Sequence, residues 1–219
     1  MPMPVSTPSN SKRGIIVQNL ALTLLGLAVG PLCFAADAPK VKVLESGKSG
    51  DLKSLNLVET KVKVVSTRDA DHTKVIEAVM DYAKPGVFPS IGKGFAVGEL
   101  KKYSAVRFWV RSDFGTGFAF SFNGDYKRKD GRGTVFSIRD LKGGESWTQI
   151  TIPIEKIKRN GIRTWDKDKK VWVEVPGGDS MDDQDLAGIS RWSITSAIER
   201  RGTSTVGHLM FDSLELVEK

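Results

Sequence analysis

Cysteine and histidine are nearly missing from this chain of 219 residues. The one cysteine is Cys33, near the N-terminus, and the two histidines are His72 and His208. A lone thiol cannot form an intramolecular disulfide, and two histidines so far apart in sequence do not form a metal-binding pair. The G-x-S-x-G motif of many serine hydrolases is missing as well. The composition therefore argues against disulfide, thiol and histidine-based chemistry, and we expect a protein that is not an enzyme.

A long uninterrupted apolar run is also missing. The best such segment, residues 20–29, is too short to span a bilayer comfortably as a helix. It follows the basic residues Lys12 and Arg13, and it precedes Cys33 and Ala35, which put small residues at the two positions that signal peptidase reads. We therefore interpret the N-terminal segment as a secretory signal peptide. This predicts a periplasmic or extracellular protein with no stable membrane insertion after cleavage.

Long blocks of one charge sign are missing too. The formal net charge is +7, and the predicted signal peptide carries two of the positive charges. The other charges alternate in sign, as in residues 127–130 and 166–170, which is typical of solvated hairpin tips. Because acids interrupt the basic residues throughout, we expect no nucleic-acid partner.

Short segments of alternating apolar and polar residues dominate the rest of the chain. The clearest are residues 105–111 and 117–123, in which every second residue is apolar. Similar segments are residues 60–65, 74–82, 133–139, 147–154, 189–195 and 208–217. Turn residues separate them, and no heptad or long amphipathic helix interrupts them. The sequence predicts a signal peptide at 1–35, a linker at 36–42 and an all-β domain at 43–219, built as an antiparallel β-sandwich of the jelly-roll type.

A stretch of irregular composition interrupts this series. Residues 164–175 predict a hairpin that contains Trp165 and Trp172, and the acidic segment 176–185 is interpreted as a solvated loop. The two tryptophans either pin the hairpin to the domain or form a platform for stacking sugar rings. Trp147 and Trp192 are interpreted as core residues.

Four stretches make the strand series similar to a known group of domains. They are residues 100–110 (LKKYSAVRFWV), 147–154 (WTQITIPI), 185–189 with 192–194 (DLAGI and WSI), and 210–216 (MFDSLEL). In this order they resemble the galactose-binding-like jelly rolls, in particular the family-eleven-type carbohydrate-binding modules and the complex I intermediate-associated protein domain. The resemblance covers about residues 41–217, and the predicted hairpin looks like an insertion into it.

The resemblance implies an exported, non-catalytic domain that binds a glycan or a cell-surface polysaccharide. The alternative is a protein-interaction or assembly domain of the cell envelope, with an envelope protein as partner. It also implies a structural calcium ion, with oxygen ligands from the early chain and from the last strand. Glu45 and Asp212 match the positions that supply the carboxylates in such domains. Asp212 could equally cap a β-bulge.

Strand alternation also indicates which side chains face outward and could bind a sugar. Sugar recognition combines a flat apolar ring with planar hydrogen-bonding groups. The outward candidates are Arg107, Trp109, Arg111, Ser121, Asn123, Gln149 and Arg191. We expect one sheet face to gather these residues around Trp109. The alternative is that Trp109 packs under a loop and that the arginines pair with surface acids.

Overall fold

The computed structural model describes residues 38–49, 51–81, 87–112, 117–196 and 206–219, and strands dominate this part of the chain. The predicted signal peptide lies outside the described residues, and so does part of the predicted linker. The strands are β1 (Val41–Glu45), β2 (Asn56–Val58), β3 (Thr60–Ser66), β4 (Lys74–Asp81), β5 (Ser90–Gly94), β6 (Tyr103–Ser112), β7 (Phe118–Gly124), β8 (Val135–Leu141), β9 (Thr148–Pro153), β10 (Lys158–Arg159), β11 (Ile162–Asp166), β12 (Val171–Val175), β13 (Ile189–Ser196) and β14 (Val206–Glu218). One short helix, α1 (Asp183–Gly188), and two 3-10 turns, Glu99–Lys102 and Ile154–Lys156, complete the described elements.

Antiparallel pairing arranges these strands into two six-stranded sheets and a ribbon. The first sheet has the order β3-β4-β14-β6-β9, and β1 also pairs with β14. The second sheet has the order β10-β8-β7-β13-β5-β2, and β11 pairs with β12 in the ribbon. No helix in the described ranges is long and apolar enough to cross a membrane. The fold is therefore the all-β antiparallel architecture that the sequence predicts.

Side-chain alternation explains how the two sheets pack on each other. The alternate residues that are fully buried are Val106, Phe108 and Val110 in β6 and Phe118, Phe120 and Phe122 in β7. The ring of Phe108, in the first sheet, stacks on Phe120, in the second sheet, with centroids 5.9 Å apart. Such contacts between sheets place the hydrophobic core in the middle layer and confirm the sandwich.

The sequence pattern does not predict three short strands. They are β2, β5 and β10, with three, five and two residues. The sequence of β5 is SIGKG, in which two glycines interrupt any alternation. Strands this short carry too few residues for a period of two to be recognisable, so only their pairing with neighbouring strands identifies them.

Arginines anchor the acidic segment after the ribbon, which corrects the interpretation of a solvated loop for Asp185, whereas most of residues 176–184 are exposed. Asp185 is fully buried, and its carboxylate accepts hydrogen bonds from Arg159 Nη2 at 2.6 Å and from Arg128 Nη1 at 2.7 Å. Asp182 and Asp185 also form a capping box at the start of α1. Arg159 belongs to β10 and Arg128 precedes β8, so this network ties the edge of the second sheet to α1.

We predict that stability falls in acid because of this network. The hydrogen bond from Arg128 lowers the pKa of Asp182 well below its usual range, although burial of Asp182 opposes the shift. A depressed carboxyl pKa stabilises the fold above the unfolded pKa, and this contribution is lost as the pH falls through the folded value. The free energy of unfolding should therefore decrease below about pH 4, measured by urea unfolding with tryptophan fluorescence.

The variant Asp182→Asn tests the assignment. Asparagine can still cap α1, but it has no carboxyl group to titrate. We expect a loss of about 0.5–1 kcal/mol at pH 7, small because Asp182 is 45% exposed, and a shallower decrease toward pH 2. Parallel curves for variant and wild type would contradict the role of Asp182.

Candidate ligand-binding surfaces

The seven candidate residues lie on two sheets, which corrects the expectation of one gathered face. The candidates in the first sheet are Arg107, Trp109, Arg111 and Gln149. The candidates in the second sheet are Ser121, Asn123 and Arg191. Both groups point away from the core between the sheets, so they belong to opposite outer faces. We call them the first-sheet surface and the second-sheet surface.

On the first-sheet surface, Trp109 packs against a loop. The loop between β3 and β4 contains His72, whose ring centroid lies 4.9 Å from that of Trp109 and 4.5 Å from that of Trp147. His72 is only 5% exposed, and its Nδ1 lies 3.4 Å from Oδ2 of Asp212. Trp109 therefore packs under a loop, which was the alternative to an exposed sugar-binding ring. Trp147 is half-buried in the same cluster, whereas Trp192 is a fully buried core residue as predicted.

The polar candidates of the first-sheet surface differ in how they are paired. Arg107 donates from Nε and Nη2 to the Oε2 atom of Glu215, at 3.1 and 2.8 Å. Arg111 and Gln149 are exposed at neighbouring positions. The ring of Trp109 and the guanidinium group of Arg107 thus already contact other residues of the fold. The side chains of Arg111 and Gln149 remain exposed.

A row of small polar residues crosses the second-sheet surface. Ser121 pairs with Ser137 on one side and with Ser193 on the other, and the row continues to Gly92 and Asn56. Cross-strand partners share a face, so this row spans five neighbouring strands. Ser121 is 8% exposed although it faces away from the core, so the row lies below the surrounding side chains.

The three candidates of the second sheet are brought together at this row. Asn123 and Arg191 are direct cross-strand partners, and the amide of Asn123 donates to the hydroxyl of Ser193 at 3.2 Å. Arg191 is exposed, and its Nη2 lies 3.3 Å from Oδ2 of Asp125. This part of the row therefore presents hydroxyl, amide and guanidinium groups within a few ångströms of one another.

Sequence reasoning missed two further residues of this surface. Ser137 lies in β8, and its hydroxyl donates to Oδ1 of Asn160 at 2.5 Å. Alternation would have found Ser137, because it lies between the inward-facing Phe136 and Ile138. Nothing in the pattern points to Asn160, which follows the two-residue strand β10.

The ribbon begins where this row ends. The amide of Asn160 donates to the carbonyl of Val135 at 2.8 Å, and β11 starts two residues later. The side chain of Ile162 packs so closely that a Cβ on Gly133 would lie 2.8 Å from its Cγ2 atom. The ribbon therefore extends from the edge of the second sheet, beside the polar row.

Trp165 and Trp172 form a cross-strand pair on the solvent face of the ribbon. Their ring centroids are 5.6 Å apart in an edge-to-face arrangement, and the side chains are 46% and 60% exposed. The opposite face carries Ile162, Val173 and Val175, which are half-buried. The face with Ile162 is therefore the more buried one, and the exposed tryptophans do not pin the ribbon to the domain.

Glu45 and Asp212, which the resemblance assigns to calcium, do not fit such an ion well. Both are almost fully buried. Oε2 of Glu45 lies 2.8 Å from Nζ of Lys93, so an ammonium group is already paired with this carboxylate. In the described ranges, no group of three or more His, Cys, Asp or Glu side chains could hold a metal ion.

Asp212 lies at a bulge, as the alternative interpretation of this residue suggested. The pairing of β14 shifts register after Asp212, and Ser213 has a φ of 51°. Oδ1 of Asp212 accepts hydrogen bonds from the amides of Ser213 at 2.8 Å and Gly47 at 3.3 Å. A Cβ on Gly47 would lie 2.2 Å from the carbonyl of Lys74, so only glycine allows this close approach.

Comparison with known proteins supports the fold. No family model matches the chain, and no curated protein does. Among solved structures, the chain is similar to the family 11 carbohydrate-binding module from Clostridium thermocellum, solved in complex with a β-1,3-1,4-mixed-linked tetrasaccharide. The TM-score is 0.57 and the identity 16%, over 83% of this chain and 97% of that module.

Two further structures extend the comparison. The family 11 module of a cellulosomal cellulase of Clostridium thermocellum matches with a TM-score of 0.53 and 18% identity, over 83% of this chain and 96% of the module. An exo-β-agarase matches with a TM-score of 0.52 and 12% identity, over 81% of this chain and 25% of the enzyme. At these identities the likeness shows the fold alone, and it agrees with the predicted resemblance in fold to family 11 carbohydrate-binding modules.

We predict that Trp109 contributes to stability. Trp109→Ala should lower the free energy of unfolding by about 2–3 kcal/mol, because it removes the ring that packs on His72 and leaves a cavity. The matched control is Gln149→Ala, the exposed cross-strand partner of Trp109, with an expected change below about 0.5 kcal/mol. Urea unfolding followed by circular dichroism measures both. Equal stability of the two variants would contradict the packing role.

Proposed function

We propose that this chain is an exported, non-catalytic carbohydrate-binding domain and that the second-sheet surface holds the glycan. The observation that carries the proposal is the polar row through Ser137, Ser121 and Ser193, with Asn123 and Arg191 beside it. The fold likeness to a family 11 module solved with a tetrasaccharide supports a carbohydrate as the ligand. The signal-peptide pattern at residues 1–35 supports export to the periplasm or the medium.

The chemistry of the row suits sugar hydroxyl groups. Serine hydroxyls donate and accept, the Asn123 amide offers both functions in one plane, and the Arg191 guanidinium can span two neighbouring hydroxyls. Serine, asparagine and arginine do not supply the pair of carboxyl groups that most glycosidases need. The row is therefore suited to holding a glycan without cleaving it.

The tryptophan ribbon supplies an apolar element that the row lacks. Trp172 is the more exposed member of the pair, and the ribbon extends from the sheet edge at which the row ends. An indole face can stack on the C–H side of a pyranose ring. We propose that a glycan chain on the row continues to the ribbon, where Trp172 binds a further sugar unit.

We predict that binding depends on the second sheet and not on the first. The double variant Asn123→Ala/Arg191→Ala should weaken binding about tenfold or more, because it removes several hydrogen bonds, one of them charged. The probes are mixed-linked β-glucan, agarose and a panel of other polysaccharides in affinity electrophoresis, followed by calorimetry with the best ligand.

The matched control for this experiment is the double variant Arg111→Ala/Gln149→Ala on the first-sheet surface. It changes an arginine and an amide in the same way, and we expect binding within about twofold of wild type. Loss of binding in the control alone would overturn the assignment of the surface. Retention on no polysaccharide, together with capture of a protein partner insensitive to added sugars, would favour the envelope-assembly alternative.

We also predict that Trp172 matters only for long ligands. Trp172→Ala should weaken binding of an oligosaccharide long enough to reach the ribbon by about fivefold, the value of one ring contact, and leave a disaccharide unaffected. The control is Lys167→Ala, which lies at the exposed turn of the same ribbon. Equal affinities of Trp172→Ala and wild type for the long ligand would contradict a role of the ribbon.

A further inference from the structure

A buried ion pair joins the two sheets at one edge of the sandwich. Lys93 lies in β5 of the second sheet, opposite the fully buried Trp192, so its side chain starts on the inward face. Its Nζ reaches Oε2 of Glu45, at the end of β1 in the first sheet, at a distance of 2.8 Å. The Glu45 side chain is 1% exposed and the Lys93 side chain 24% exposed. The positive charge of Lys93 thus lies beside the carboxylate of Glu45, which is buried away from water.

Glu45 depends on this partner for its charge balance. Its other oxygen, Oε1, accepts hydrogen bonds from the Ser46 amide at 3.0 Å and from the Ser49 hydroxyl at 2.6 Å, and both donors are neutral. Among the described residues, the ion pair of Glu45 is formed with Lys93. A buried charged carboxylate without a counter-charge is strongly destabilising, so the ammonium group of Lys93 stabilises the charged form of Glu45 in the fold.

The neighbouring Asp212 is satisfied in a similar way. Two backbone amides donate to Oδ1, and the ring of His72 lies next to Oδ2. Three of the four carboxylate oxygens of the two acids therefore accept hydrogen bonds or an ion pair, and the fourth, Oδ2 of Asp212, lies 3.4 Å from Nδ1 of His72. A calcium ion needs six to eight oxygen ligands at about 2.3–2.6 Å, and it would have to displace an ammonium group and an imidazole.

We infer that the ammonium group of Lys93 takes the place of the structural calcium ion that domains of this type are expected to hold, so that this domain folds independently of calcium. The surrounding sequence suits this role. Gly92 lets β5 lie close against β13, since a Cβ there would be 2.5 Å from the carbonyl of Trp192. The segment Gly92-Lys93-Gly94 of β5 thus places one ammonium group between the two sheets.

The first test compares thermal unfolding of the full chain in EDTA and in excess calcium chloride. A metal that binds only the folded state raises its melting temperature, whereas a domain with a built-in cation does not respond. We expect the two melting temperatures to agree within about 1 °C. A calcium-dependent rise of several degrees would overturn the inference.

The second test removes the charge of Lys93. Lys93→Met keeps most of the side-chain volume, and its melting temperature should fall by about 5–10 °C because Glu45 loses its partner. The control is Lys42→Met, whose lysine pairs with Glu99 at a more exposed position and whose loss should cost about 2 °C or less. Equal effects of the two substitutions would contradict the role of Lys93.

A double variant separates the lost charge balance from lost packing. Glu45→Gln/Lys93→Met has neither charge, so it should recover a large part of the stability that Lys93→Met loses. A double variant less stable than Lys93→Met would show that the ion pair is not what the position requires, and would overturn the inference.

Discussion

The packing of one apolar face from each sheet is the constraint on which the rest of the structure depends. Phe108 stacks on Phe120 across the middle layer, and Trp192 meets Phe211 with centroids 6.4 Å apart. Because strands alternate, each inward ring forces its neighbours in sequence to the outside. Phe120 therefore determines where Ser121 points. The outer surfaces, and with them any binding site, follow from the core.

Buried charge is the second constraint, and two ion pairs among the described residues illustrate how the fold meets it. Asp185 is paired with Arg159 at the β10 edge, and Glu45 is paired with Lys93 between the sheets. Each pair joins elements that the core alone would hold less specifically. Buried ion pairs rarely stabilise a fold more than well-packed apolar residues would, but removing one partner lowers the free energy of unfolding strongly. They therefore favour one relative placement of loops, helix and sheets over others.

The two outer faces differ in what remains available for a ligand. On the first sheet, the ring of Trp109 and the guanidinium group of Arg107 are already engaged by His72 and Glu215. On the second sheet, the half-buried Asn123 and Ser193 and the exposed Arg191 lie beside the buried Ser121, and a ribbon with two exposed tryptophans follows at the sheet edge. This difference makes the second sheet the better candidate, although the more conspicuous aromatic residue of the sequence lies on the first.

The sequence by itself determined most of the strand series, the sandwich class and the inward or outward direction of residues such as Phe108, Trp109 and Asn123, because alternation is a local property of each strand. The tertiary structure alone decided that β6 and β7 belong to different sheets, which divides the candidates between two faces. It also decided that Lys93 reaches Glu45, 48 positions away, and that Asp212 meets Gly47 across 165 positions. Contacts over such separations depend on which strands pair, and no periodicity within a segment encodes that choice.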